Sequence, residues 1–322
     1  MSNIQLKDVL KYENSFCVLP FIHKHIDLNN KQKVCCISSD QIDENRLIEI
    51  RHLMMNNQLV PECVNCLKQE QLKTFSERQL ITREWMRKYP DIDFDNPEEL
   101  SYDLRYSNLC NLRCQTCNAG SSSEWARYIG HETVYKIVEP DLNINTNAKR
   151  IYLAGGEPFM IKSFSTMLNS LENKDCEIVI NTNATILTDH MMSALEPFTN
   201  VCFVLSIDGT GETIERIRTL CSWDMINTNI DVLRDKLNLN FMVNTVVQKD
   251  NVDNMPELAK WIDDQGIDIW HTTICTDPEE FHYRYYNGTI KWSDDLWNRH
   301  CFKKSIQAKN TLKKVYNDLI LN

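Results

Sequence analysis

Long apolar runs are missing from this 322-residue chain: the longest is Val201-Cys202-Phe203-Val204-Leu205, against the ~20 residues a membrane helix needs. A spanning helix is excluded on that ground. Basic clusters are missing too. Asp and Glu outnumber Lys and Arg by 45 to 35, for a net charge of −10. A chain so charged repels phosphate backbones and is not expected to take a nucleic-acid partner. The pairs Lys303-Lys304 and Lys313-Lys314 read as the solvated face of a terminal helix. Residues 1–12 hold no apolar core of the kind an export signal carries, so a cytoplasmic location is expected. Internal repeats and low-complexity tracts are also absent. What remains is the composition of an ordinary globular protein, 42% hydrophobic and 25% charged, long enough for one large and one smaller domain.

Cysteine is what the chain has in excess, with 13 residues. In a reducing cytoplasm that number points to metal ligation rather than a disulfide framework. Three of them, Cys110, Cys114 and Cys117, follow a C-x3-C-x2-C spacing. A structural zinc site wants four protein ligands, and the next cysteine beyond this triplet is Cys176, in a different strand region. Three thiolates alone suit a [4Fe–4S] cube with one iron left open.

Three parts are expected, at 1–95, 96–275 and 276–322. The first carries helical patterns over 42–57 and 67–87, then a Pro- and Asp-rich linker, 89–97. In the second, strand-like runs at 102–107, 150–154, 177–181, 201–207, 240–246 and 268–272 alternate with helical stretches. Six such repeats predict an α/β fold with a parallel sheet, open barrel or doubly wound. The chemistry is then expected at the carboxyl ends of the strands. The third part is aromatic around Tyr283–Tyr286 and closes on a helix, 305–321.

Directly after the second barrel strand comes Ala154-Gly155-Gly156-Glu157-Pro158. Its two glycines allow close backbone approach, and its carboxylate and carbonyls can accept hydrogen bonds from an ammonium group. Together with the cysteine triplet, this turn resembles the radical S-adenosylmethionine superfamily. The resemblance spans about 100–275 and implies a partial (β/α)6 TIM-like barrel. It implies that Cys110, Cys114 and Cys117 hold a [4Fe–4S] cluster whose open iron chelates S-adenosylmethionine. One electron, from a donor such as flavodoxin or ferredoxin, then releases a 5′-deoxyadenosyl radical that abstracts a substrate hydrogen. By the same resemblance Gly155, Gly156, Glu157 and Pro158 lie at the methionine amine. Ser206 and Asp208 fall at the ribose-contacting position, and Asn183 faces the same pocket. Arg218, in Glu215-Arg216-Ile217-Arg218 with Trp223 five residues on, lies near the cofactor carboxylate; Asn251 is a further candidate. The chain departs from the family in one respect: Thr116 stands where many members have an aromatic beside the adenine. Bland readings stand beside these. Asp208 would cap a helix, and Arg218 would pair with Glu215 across one helical turn.

A second cysteine set, Cys17, Cys35, Cys63 and Cys66, precedes the barrel. Its pattern is similar to the auxiliary modules called SPASM and twitch domains, although those usually follow the barrel. Asn30 stands where that pattern has glycine, and asparagine is the next-best residue for positive φ. Val34-Cys35-Cys36 reads as a strand, with Cys35 rather than Cys36 turned to the metal. Four thiolates suit an auxiliary [4Fe–4S] cluster or a structural zinc. The expected substrate is a peptide or protein. The alternatives are a small molecule under the same chemistry, or a non-catalytic metal-binding scaffold or electron carrier. Cys176 and Cys202 are expected to be buried structural thiols, and Cys221, Cys275 and Cys301 to lie near the barrel mouth. His23 and His25 share a strand face, and His271 ends the sixth strand.

Overall fold

A computed structural model describes residues 15–28, 31–38, 40–71, 75–105, 107–131, 144–236 and 239–320. Asn30 and residues 1–12, invoked above, lie outside the described residues. In chain order the described elements begin with α1 (Leu19–Ile22), β1 (His23–Ile26) and β2 (Gln32–Lys33). The helices α2 (Glu44–Met55), α3 (Val64–Gln71) and α4 (Glu77–Lys88) follow. Next come β3 (Ser101–Leu104), β4 (Arg113–Cys114), α5 (Ser123–Tyr128) and β5 (Arg150–Leu153). Strand and helix then alternate: α6 (Lys162–Ser170), β6 (Glu177–Thr182), α7 (Asp189–Leu195), β7 (Val201–Ser206), α8 (Gly211–Ile217). The chain continues through β8 (Arg218–Thr219), α9 (Trp223–Lys236), β9 (Leu239–Val247), α10 (Met255–Asp264) and β10 (Ile269–Ile274). It ends with α11 (Cys301–Lys304) and α12 (Ile306–Ile320). No described helix is long and apolar enough to cross a membrane.

The chain divides into two compact units. Unit one takes in the described residues through 105 with 144–152 and 171–173. Unit two takes in the others.

In unit one, β1 pairs antiparallel with β2 and in parallel with β3, His25 facing Asp103 across the second pair. The helical pattern read over 67–87 is two helices, because Ser76 starts a new one with a capping box to Gln79. The core is apolar and aromatic: Phe16, Phe21 and Phe94 meet with ring centroids 5.2–5.5 Å apart, beside buried Ile22, Ile50 and Trp85. The expected strand through Cys35 and Cys36 is corrected. β2 stops at Lys33, and the chain bends so that Ser38 N–H reaches the Cys35 carbonyl at 3.2 Å. That turn leaves Cys35 partly buried and Cys36 exposed.

In unit two, β6, β7, β9 and β10 are parallel neighbours in that order. β7 is buried along five of its six residues because its sequence, VCFVLS, is apolar on both faces. β9 and β10 alternate instead, with Val243, Thr245, Val247, Trp270 and Thr272 buried. Parallel pairing and strand–helix alternation are those expected of the α/β fold. Residues 276–320 do not stand apart. Ser305 Oγ accepts the Trp270 N–H at 2.7 Å, and the Gln307 amide bonds both backbone groups of Thr272, so α12 closes over β10.

Candidate functional site

The triplet loop starts beyond β3 and is held by hydroxyls from the start of α5. Ser123 Oγ lies 3.0 Å from both the N and the O of Cys110, and Ser122 Oγ donates to Leu112 O at 2.6 Å. The indole N–H of Trp125 donates to Cys114 O at 2.8 Å. Cys117 N–H closes a turn on the same carbonyl. Burial pushes the Cys110 thiol up to about 12 and the Cys114 thiol up to about 11, with Arg218 pulling Cys114 down. Such thiols stay protonated until a metal displaces their protons.

Two glycines dock the neighbouring turn on this loop, for different reasons. Gly155 has φ +111°, a conformation side chains resist. At Gly156 a Cβ would fall 2.1 Å from Leu109 O and 2.7 Å from the carbonyl carbon of Asn108. Its own N–H bonds Ser107 O at 2.8 Å, and the Glu157 N–H bonds Leu109 O at 2.7 Å. The Gly-Gly-Glu-Pro turn is thus laid flush on the three residues that precede Cys110.

In the structure Glu157 is engaged within the chain. Its carboxylate is fully buried and takes the Thr182 hydroxyl at 2.7 Å, the Asn183 N–H at 2.8 Å and the Phe159 N–H at 3.3 Å. Burial raises it to about 7, with those three donors working the other way. It ties the turn to the end of β6. Asn183 is also buried and occupied: its amide donates to Asn111 Oδ1 at 3.0 Å and its oxygen accepts from Thr185. Pro158 is buried and opens a short 3-10 turn.

Asp208 differs from the ribose-contact expectation. It is fully buried; Oδ1 accepts the Val246 N–H at 2.8 Å and Oδ2 faces Arg218 Nη2 at 2.7 Å. Asn251 fixes the same corner, donating to Asp208 O at 2.8 Å and Val246 O at 2.9 Å. Ser206 is half-exposed and donates to Asn181 Oδ1 at 3.0 Å. Arg218 does not pair with Glu215, which instead accepts the Trp223 N–H at 2.8 Å. It sits between Asp208 and Cys114 Sγ, 3.9 Å from the sulfur. Burial opposes its charge, but Asp208 and Cys114 together hold its pKa above the ordinary value.

That placement comes from a pairing the sequence reading missed: β4 and β8 are antiparallel, with Cys114 opposite Arg218. Two-residue strands leave no periodicity to read. Ser122 and Trp125 were also missed, although a serine ahead of a helix is an N-cap signal. Along the less buried face, Ser206 and His271 both lie opposite Asn244. With Asn181, these side chains make a polar row at the carboxyl half of the strands. Cys202, Cys176, Cys275 and Cys301 are buried, whereas Cys221 is partly open.

In unit one, Cys17, Cys35, Cys63 and Cys66 are brought close enough to raise one another's pKa, although burial is the larger cause. Three of the four sulfurs accept a backbone N–H: Cys17 from Leu19, Cys35 from Ile37 and Ser38, Cys66 from Arg78. The Arg78 guanidinium is buried, pairs with Glu70 at 2.6 Å and favours the thiolate at Cys63 and Cys66. Among the described residues, the one group of His, Cys, Asp or Glu donors mutually within 4.8 Å is His23, His25 and Asp103. Neither cysteine set is drawn in that tightly. A tetrahedral zinc with Zn–S near 2.3 Å needs sulfurs about 3.8 Å apart. A cube, with each thiolate on a different iron, accommodates the wider spacing.

Residues 104–262 match the family model described as the Radical SAM superfamily. The chain is 26% identical over 205 residues to the tungsten-containing aldehyde ferredoxin oxidoreductase cofactor-modifying protein of Pyrococcus furiosus, covering 58% of this chain and 55% of that protein. It is 23% identical over 171 residues to the sporulation killing factor maturation protein SkfB of Bacillus subtilis, covering 53% of this chain and 41% of that protein. The structure of Streptococcus suis SuiB bound to precursor peptide SuiA aligns with 86% of this chain and 64% of that chain, at 15% identity and a TM-score of 0.43. The chain thus spans about half the length of the curated relatives it matches. The cysteine triplet and the glycine turn laid against it both fall inside residues 104–262, the segment through which the chain belongs to the radical SAM superfamily.

Proposed function

We propose that this enzyme modifies a peptide or protein, with the triplet of unit two as its reactive centre and the quartet of unit one as an auxiliary [4Fe–4S] site. Cys110, Cys114 and Cys117 would hold the first cluster, and the turn at Gly155–Pro158 would receive the methionine end of the cofactor. When bound, the two groups supply one-electron cleavage of a sulfonium and a 5′-deoxyadenosyl radical able to abstract hydrogen. The chain's own residues prepare the place for this. Gly156 lets the turn lie on the loop, and Glu157 anchors the turn to β6. Arg218 sets a cation beside Cys114, where thiolate charge must be carried. The polar row of Asn181, Ser206, Asn244 and His271 offers hydrogen bonds to a substrate above the parallel strands. An acidic small carrier such as flavodoxin or ferredoxin would supply the electron.

The observation that carries the auxiliary reading is the convergence of four thiols from three separate chain segments, three of them braced by backbone N–H groups. A site that only filled space would not gather four thiols, two of them buried and two partly buried, close enough to shift one another's pKa. The peptide reading is supported by the name of SkfB, a maturation protein. A small-molecule substrate is the second reading, favoured by the cofactor-modifying relative.

Anaerobic reconstitution tests both parts. About eight irons per chain supports two cubes; about four irons with one zinc overturns the auxiliary cluster. Release of 5′-deoxyadenosine with dithionite supports turnover, and intact cofactor beside a formed cluster overturns it. Co-expression with short peptides encoded beside the gene should give a peptide of altered mass; unchanged peptides beside an altered metabolite would favour the small molecule.

A further inference from the structure

The geometry points to a third metal site in unit one, made by His23, His25 and Asp103, that takes a single divalent first-row transition ion through two imidazoles and one carboxylate. Strand periodicity comes first. Residues two apart on β1 share a face, so His23 and His25 project together. The parallel register with β3 sets Asp103 opposite His25 and Ser101 opposite His23. The three donor atoms fall within 4.8 Å of one another. His25 and Asp103 are 3% and 6% exposed, while His23 is half-buried and gives the site an open side.

The contact between the two buried members fixes the geometry of the site. His25 Nδ1 lies 3.1 Å from Asp103 Oδ2, a buried imidazole–carboxylate pair. The same two atoms can share a metal cation in place of the proton between them. If each sits about 2.1 Å from a common ion, a 3.1 Å separation subtends about 95° there. That is the cis angle of an octahedron and is tighter than a tetrahedral angle. Two histidines and one carboxylate on one face of an octahedron leave positions for water or a substrate donor.

The surrounding groups orient the ligands. Arg105 grips the Asp103 carboxylate through Nε at 2.8 Å and Nη2 at 3.0 Å. Ser101 Oγ lies 3.0 Å from His23 Nδ1 and holds that ring by one nitrogen. Outer partners of this kind are the usual accompaniment of a metal-bound histidine or carboxylate. They also decide the ion. Arg105 offsets the one anionic ligand, so affinity rests on the imidazoles. Magnesium and calcium, which want several oxygens, are disfavoured, and ions that accept nitrogen are preferred. Arg150, the other cation close by, is paired with Glu84.

Manganese(II) is the probe of choice, because thiolates bind it poorly and its free-ion electron paramagnetic resonance signal disappears on binding. Enzyme already loaded at its cysteine sites is titrated with manganese(II) under anaerobic conditions. One ion per chain should bind saturably. His23→Ala and Asp103→Asn should each weaken binding roughly ten-fold or more, with iron content unchanged, and Ser101→Ala should weaken it less. His23→Gln, at the half-buried position, tests the ligand with least risk to folding. Absence of saturable binding by the folded, iron-loaded enzyme, or equal binding by the parent and all four variants, overturns the site.

Discussion

The two cysteine sites are built in opposite ways. In unit two the triplet comes from one eight-residue stretch, and the chain's own groups brace it: hydroxyls of Ser122 and Ser123, the Trp125 indole and the glycine turn fix its backbone. In unit one the four cysteines are gathered from residue 17 to residue 66, from beside a one-turn helix, a bend and the start of α3. Under the proposed reading, a metal there would itself be a cross-link among short elements. A site the fold prepares should lose chemistry when its ligands are removed, and a site that helps make the fold should lose stability. Cys114→Ala is the sharpest form of the first case. 5′-Deoxyadenosine release should fall about a thousand-fold or more, equivalent to at least ~4 kcal/mol of activation free energy. The melting temperature of the protein should change little. Retained turnover would move the reactive centre elsewhere.

The second case is Cys63→Ala. It removes one proposed ligand of the quartet and leaves three thiols that would no longer saturate a metal. Structural metal sites contribute folding free energy outright. Loss of several kcal/mol in a small unit should lower its melting temperature by about 10 °C, read by circular dichroism on the reconstituted protein. If Cys63→Ala and Cys114→Ala lowered stability equally, the contrast between the sites would be gone.

Gly156→Ala asks whether preparation of the triplet depends on backbone contact. A Cβ 2.1 Å from Leu109 O cannot be accommodated unless the turn or the cluster loop shifts. A cost of about 3 kcal/mol is expected, with iron uptake at the triplet reduced and that at the quartet unaffected. Separate iron counts in a Cys63→Ala background make this readable.

Glu157 gives the comparison a pH axis. Its folded pKa of about 7 lies above an ordinary value near 4.5. The folded state therefore binds a proton that the unfolded state releases first. Stability from this group is fully present below about pH 4.5 and is lost as pH rises through about 7. The loss is roughly 3 kcal/mol. Urea unfolding of the apoprotein between pH 5 and 8 should show that slope, and Glu157→Gln should flatten it. An unchanged slope would mean the carboxylate is ionised in place, held by its three donors.

Much of this was legible in the sequence where residues repeat or cluster. The strand expected at 201–207 is β7, and the helix expected at 305–321 is α12, because an apolar run or a helical period is local. What could not be read were contacts between segments far apart. Asp208 and Arg218 are ten residues apart and both look like ligand-facing groups, yet they neutralise each other in the buried corner below the triplet. Glu157 likewise looked free to meet a ligand and is spent on β6. Cys35 and Cys36 are adjacent, and only the bend after Lys33 decides which one is turned inward. The parallel docking of β1 on β3, which brings His25 to Asp103, carries no signal in either strand alone.

Arg218 is the smallest test of the contrast and the most specific. It joins three things at once: the β4–β8 pair, the buried Asp208, and the sulfur of Cys114. Lysine keeps the charge but has one nitrogen, so it can face the carboxylate or the sulfur and not both. Arg218→Lys should leave the fold intact, since the strand pairing is made by backbone. Turnover should fall about ten-fold, close to 1.4 kcal/mol, while Arg218→Gln, which leaves Asp208 buried without a counter-charge, should cost more in stability than in rate. An unchanged Arg218→Lys beside an impaired Arg218→Gln would mean that charge beside Asp208 is all Arg218 provides. A larger rate loss for lysine than its stability loss explains would place the second arm of the guanidinium at Cys114 in the working site, where a prepared triplet needs it and a metal-built quartet has Arg78 instead.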